Sequence, residues 1–356
     1  MQKNQVVLMQ PGQKISNSLV YREACLKFLP TTREEMNWKG WSELDVLLIN
    51  GDAYVDHPTF GVPCLARWLS RMGLRVGIVS QPQWDSPVDF LKMGKPRLFV
   101  GISSGTVDSM INNYTANKKV RSDDMYSEGG IGGKRPDYAS IVYADLARKA
   151  FPDTPLIVGG VEASLRRLAH YDFWQNKVRP SILTELKADL VVFGMGERTI
   201  QTIVDALKAA ERIIGGPLNL SLEAVQQAII DLKTQRGIAF ITTKEYARNL
   251  EGRLTLPSYE EVRDDKKKFA KAAYFIEYEA SPYNGKRLVQ YHGSKAVVIN
   301  PPALPLSTQE LDSIYELPFT KEQHPSYKKR IPAADMIRFS VAATRGCFGG
   351  KPAISN

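Results

Sequence analysis

Acid–base side chains gather at three places where a short apolar run gives way to glycine. The first is Gly51-Asp52-Ala53-Tyr54-Val55-Asp56-His57-Pro58, which brings two carboxyls and an imidazole close together in sequence. The second is Gly159-Gly160-Val161-Glu162-Ala163-Ser164, and the third is Gly194-Met195-Gly196-Glu197-Arg198. Carboxylates and imidazole accept hydrogen bonds and exchange protons near neutral pH. Glycine lets a ligand approach the backbone, because no Cβ stands in its way. The residues that could hold a ligand are therefore Asp52, Asp56, His57, Gly159, Gly160, Glu162, Gly194, Gly196 and Glu197. Each also has a structural reading. Gly-Gly closes a tight turn, Glu197 suits a helix N-terminus, and His57 beside a proline serves as a hydrogen-bonding group of the fold.

Other clusters are weaker. Glu162, Arg166, Arg167 and His170 fall at helical spacing over 162–171, where an anion site competes with an ion-pair network holding the helix to its neighbours, the reading we prefer. Gly129-Gly130-Ile131-Gly132-Gly133-Lys134-Arg135 resembles a phosphate loop, but its spacing is wrong and Arg135 follows the lysine where Ser or Thr would meet magnesium. A mobile loop or lid is expected there instead. The four histidines, at 57, 170, 292 and 324, are far apart in sequence, so no zinc-type spacing and no Ser-His-Asp arrangement is visible. Cys25, Cys64 and Cys347 are too few and scattered for a disulfide framework, and Cys25 and Cys64 are expected to be buried thiols.

The three glycine loops need a scaffold, and the sequence supplies one. Apolar runs at 44–50, 74–80, 97–103, 155–159 and 189–194 alternate with helical patterns at 61–73, 106–114, 137–150, 162–171 and 197–210. That alternation predicts βαβ units around an open, largely parallel sheet, a Rossmann-like α/β fold. In such a sheet, ligands bind beyond the carboxyl ends of the strands, so the three loops are expected to converge on one crevice. Residues 115–136 read as a long surface loop. The segment 216–234 enters an amphipathic helix, 237–243 is a strand that can extend the same sheet, 258–280 a charged helix, 287–300 two short strands, 308–316 a short helix, and 336–343 a last strand.

Composition excludes some classes. Apolar residues make up 43% of the 356 and charged residues 24%, and no apolar run is near the length of a membrane span. The N-terminal MQKNQVVLMQPGQK lacks the features of a secretory leader, so a cytoplasmic location is expected. The net charge of +9 is spread out, with its densest points at Lys266–Lys268 and Lys328–Arg330, which read as solvated surface and support nucleic-acid binding only weakly.

Seven longer motifs carry a family resemblance: FLPTTREEM (28–36), GDAYVDHPTFG (51–61), DSMINNYTA (108–116), GKRPD (133–137), GGVEASLRRLAHYDFW (159–174), NPPALPLSTQELD (300–312) and IRFSVAATRGCFGG (337–350). Together, and in this order, they resemble the YgiQ family of radical SAM proteins. The resemblance implies a Rossmann-like domain of cobalamin-binding type over 1–215, a linker and extension over 216–334, and over 335–356 the start of a radical SAM barrel, with IRFSVAA as its first strand. It further implies a four-iron four-sulfur cluster on a C-x3-C-x2-C motif, whose open iron chelates S-adenosylmethionine.

Cys347 occupies the first cysteine position of that motif, the metal-ligand candidate. The next two positions are Lys351 and Ile354, which do not ligate iron. The expectation is thus the front part of such a protein, interrupted within its cluster motif and without the family's radical chemistry, the parent's substrate remaining open. The alternative is a binding module whose crevice holds a small-molecule cofactor, a corrinoid or a nucleotide.

Overall fold

The structure is a computed structural model that describes residues 19–342. The predicted metal ligand Cys347 and positions 351 and 354 lie outside the described residues.

The strands are β1 (Val46–Asn50), β2 (Val76–Ser80), β3 (Phe99–Ser103), β4 (Leu156–Gly159), β5 (His170–Asp172), β6 (Lys177–Arg179), β7 (Leu190–Val192), β8 (Ile238–Thr243), β9 (Arg253–Thr255), β10 (Arg287–His292) and β11 (Lys295–Ile299). All but β5 and β6 form one sheet of nine strands in the order β2-β1-β3-β4-β7-β8-β11-β10-β9. The first five run parallel; β8, β11 and β10 then alternate in direction, and β9 lies parallel to β10. The central strands are continuous apolar runs because both faces are covered. Within β1, Val46 and Leu48 enter one core and Leu47 and Ile49 the other, the two-residue period of a pleated strand. Helices Gly61–Arg71 and Glu197–Ile214 pack on the first face, and Ala139–Ala150 on the second. The chain is thus a mixed α/β fold around a sheet dominated by parallel pairing, as the alternation of runs predicts.

Four local expectations are corrected. The helix expected over 162–171 ends after Val161–Leu165, and His170–Asp172 instead forms a two-stranded ribbon with Lys177–Arg179. Helical spacing had competed there with a better alternative: Arg166 leaves the helix to pair with Asp108 and Asp172, both buried. The charged helix at 258–280 is two, Tyr259–Asp264 and Lys266–Tyr278, because Asp265 is extended and caps the second by accepting from Lys267 N.

The loop over 115–136 is anchored rather than a free surface lid, since Asp124, Ser127 and Arg135 are buried within it. Finally, described residues 336–342 do not form the expected strand. Pro332–Ile337 is a helix with proline at its start, and Met336, Phe339 and Val341 are exposed. A β-branched run becomes a strand only beside an edge that pairs its N–H and C=O groups, and none of the described strands pairs with it.

Candidate ligand-binding crevice

From β1 the chain moves outward to β2 on one side, then returns to β3, β4 and β7 on the other. The order therefore reverses between β1 and β3, and their following loops diverge to leave an opening at that switch point. A cavity of about 350 Å³ lies there, with Leu48, Phe99, Ile157, Val192 and Ile200 among its apolar lining and the strand-end loops above them.

Six of the nine predicted loop residues line it: Asp52, Gly159, Gly160, Gly194, Gly196 and Glu197. The other three are buried beside it with structural partners. Asp56 forms a bidentate pair with Arg67, Oδ1 accepting from Nε at 3.0 Å and Oδ2 from Nη2 at 2.5 Å, and Oδ2 also accepts from Thr320 N. His57 places Nδ1 2.9 Å from Thr59 Oγ1, and burial holds its imidazole below the ordinary range. Glu162 accepts from the Ser109 and Ser140 backbone N–H groups at 2.9 and 2.8 Å, which ties the loop after β4 to two helix starts.

Asp52 belongs to both worlds. It lines the cavity, yet its Oδ2 accepts from Thr106 N and Oγ1 at 2.6 and 2.7 Å, and Arg135 Nη2 lies 2.9 Å from its Oδ1. Arg135 also approaches Asp124 and donates to Ser104 O, joining the loop of 115–136 to the floor of the crevice. Burial pushes the Asp52 carboxyl up, opposed by the Arg135 guanidinium. Close approach explains two glycines here. A Cβ on Gly51 would fall 1.9 Å from Ser104 O, and one on Gly105, whose φ is +113°, would meet Asp52 Oδ1 at 2.2 Å.

The loop after β3 was missed in sequence. Ser103, Gly105 and Thr106 line the cavity along with Asn50, a buried side chain whose Nδ2 has no hydrogen-bond partner among the described residues. The signal was the small, polar Ser103-Ser104-Gly105-Thr106 run following a strand, which sequence order alone does not place at the reversal. Tyr315 and Ala342 also reach the lining from remote sequence. Arg166 joins a buried ion-pair network with Asp108 and Asp172, while Arg167 stacks on Phe193 and has its guanidinium pushed down to about 10 by burial alone.

An open α/β sheet with a glycine-walled crevice at its switch point defines a class of ligand-binding proteins. Comparison narrows the class. The model of the radical SAM N-terminal family matches residues 28–340, and the chain belongs to that family. It is 45% identical to a UPF0313 protein of Rhodopseudomonas palustris, covering 91% of this chain and 48% of that protein. Against UPF0313 proteins of Thermotoga neapolitana and Geobacter sulfurreducens the identities are 46% and 48%, over 90% and 91% of this chain and 54% and 51% of theirs. The chain spans about half the length of these relatives. The resemblance to the YgiQ family rests on the same relationship. No helix among the described residues is long and apolar enough to cross a membrane.

Proposed function

We propose that this chain is the ligand-holding part of a cytoplasmic radical SAM protein, its crevice taking a corrinoid or a nucleotide. In this reading residues 1–215 supply most of the crevice, Tyr315 and Ala342 add to its lining, and 216–334 brace it by extending the sheet. The observation that carries the proposal is the cavity at the β1/β3 reversal, apolar in its depth and ringed by Asp52, Glu197, Asn50, Thr106 and the glycines of three loops. Its volume is that of a small-ligand site, which runs from about 300 Å³ upward. Among the described residues no Lys, Arg or His side chain lines it. That favours the uncharged, heterocyclic end of the ligand inside, with sugar hydroxyls donating to carboxylates and any phosphate left toward the mouth.

The donor set does not fit the iron–sulfur cluster that radical SAM membership implies for intact relatives. The crevice lining contains no thiol among the described residues, Cys25 and Cys64 are buried elsewhere, and Lys351 and Ile354 stand where the motif requires cysteines. We therefore assign this chain no cleavage of S-adenosylmethionine. Anaerobic reconstitution with iron and sulfide is expected to leave far fewer than the roughly four irons per chain of an intact cluster; a full complement would overturn the assignment.

The ligand proposal is tested by equilibrium titration with hydroxocobalamin, ATP and NAD. Saturable binding of at least one is expected. Gly196→Leu is the informative variant, since Gly196 lines the cavity and the atoms nearest to a Cβ there, on Val192 and Leu65, are at ordinary contact distances of 3.6 to 3.9 Å. It is expected to weaken binding at least tenfold without unfolding the chain. No saturable binding of any of the three ends the proposal.

A further inference from the structure

Away from the crevice, three side chains from opposite ends of the described chain meet. Cys25 lies on helix Leu19–Leu26, Glu35 on helix Arg33–Trp38, and His324 on the segment after helix Thr308–Tyr315. All three are buried, His324 completely. One ligand atom from each, a sulfur, an oxygen and a nitrogen, lies within 4.8 Å of the other two. We propose that Cys25 Sγ, Glu35 Oε1 and His324 Nε2 bind a divalent transition-metal ion of the zinc type.

The surrounding contacts orient the three atoms. Glu35 Oε2 is held by Thr31, whose N and Oγ1 donate at 2.7 and 3.0 Å, and Oε1 stands 3.6 Å from His324 Nε2. The His324 ring stacks on Tyr54 at 5.6 Å between centroids and meets the edge of Phe28 at 5.2 Å. Its Nδ1 is 2.8 Å from Ser326 Oγ, while Nε2 has no hydrogen-bond partner within the buried cluster. The Ser326 hydroxyl can accept from Nδ1–H, the tautomer that leaves the Nε2 lone pair aimed at Glu35 and Cys25. Ser326 N donates to Nδ1 at 3.3 Å, a bond that belongs to the other tautomer, with the proton on Nε2; a metal at Nε2 would displace that proton and select the first. A hydrogen-bonded second partner on the remote ring nitrogen is the usual support of a metal-binding histidine.

The ligand set also balances in charge: a thiolate, a carboxylate and a neutral imidazole around a dication carry no net charge, which suits a buried site. One sulfur, one nitrogen and one oxygen suit zinc, with a fourth position open to water. Zinc–sulfur and zinc–nitrogen bonds of about 2.3 and 2.1 Å would require the most separated atoms to draw in by about 1 Å, within reach of side-chain rotation. An occupied site would clip the beginning of the described chain to its end.

The test uses the whole chain after chelator treatment, titrated with Zn²⁺ and, separately, with Co²⁺ as a spectroscopic probe. One equivalent is expected to bind, with a sulfur-to-cobalt charge-transfer band, release of at least one proton near pH 7, and a rise in melting temperature. Cys25→Ser is expected to abolish the band, and His324→Gln and Glu35→Gln to weaken affinity at least tenfold. Cys64→Ser and Cys347→Ser are expected to leave both unchanged. Should a ligand variant fail to fold, the parent protein decides the matter: bound Zn²⁺ must slow alkylation of Cys25 at least tenfold relative to the metal-free chain. Absence of stoichiometric binding, a band that survives Cys25→Ser, or alkylation unaffected by Zn²⁺ overturns the proposal.

Discussion

At Arg135 one guanidinium answers two buried carboxylates, Asp52 and Asp124, while its other nitrogen donates to Ser104 O. Removing it leaves like charges close together without water, the costly way to break a buried pair. Arg135→Met is therefore expected to lose about 3–5 kcal/mol of unfolding free energy at pH 7, read by urea denaturation. Burial already holds the Asp52 carboxyl above its unfolded value, and loss of the opposing cation pushes it further up. The folded state then holds more protons, so part of the loss is expected to return as pH falls toward 5. A variant as stable as the parent would show that this cluster does not hold the loop of 115–136. The same residues show what was legible. Asp52 was identifiable as a polar group at a strand end, but its partner Arg135 had been placed in a mobile glycine-rich loop, because nothing in local composition announces an ion pair across 83 positions.

Among the elements, the ribbon of β10 and β11 carries the clearest titration. His292 ends β10, is buried, stacks on Tyr259 at 5.5 Å and has neither ring nitrogen hydrogen-bonded among the described residues. Burial lowers its pKa from 6.5 to about 4, with Glu260 opposing the shift weakly. Between those values the unfolded chain binds the proton and the folded chain does not. Stability is therefore full above pH 6.5 and declines as pH falls toward 4, by roughly 3 kcal/mol at most from this group. His292→Gln, compared with the parent by urea unfolding at pH 7 and 4.5 in chelator, is expected to show a shallower decline; equal slopes would mean that His292 is not desolvated. Elements with strong periodicity, such as β1 or Glu197–Ile214, could be read in advance. Those decided by a single capping residue, such as the break at Asp265, could not, because helical spacing runs unbroken through it.

Across the whole molecule, the sheet crosses position 215 without interruption. β8 pairs with β7, and Leu232, Ile238 and Phe240 share a core with Val46, Phe99 and Ile200. The full chain is expected to unfold in one cooperative transition by circular dichroism and by tryptophan fluorescence. A fragment ending at 215 would bare the β7 edge and half a core, and is expected to aggregate or remain non-native. A soluble, cooperatively folding fragment would instead make 1–215 an independent unit.

Sequence alone determined the parallel βαβ order, the residues at the strand ends and the family, because each is written in local periodicity or in contiguous motifs. Tertiary structure decided which of those residues face a cavity and which are consumed by partners: Asp56 is taken by Arg67 and Glu162 by two helix starts, while Asp52 lines the cavity and also pairs with Thr106 and Arg135. It also brought Cys25, Glu35 and His324 together. Burial and proximity depend on where the chain returns after hundreds of residues, and side-chain spacing along a sequence carries no record of that return.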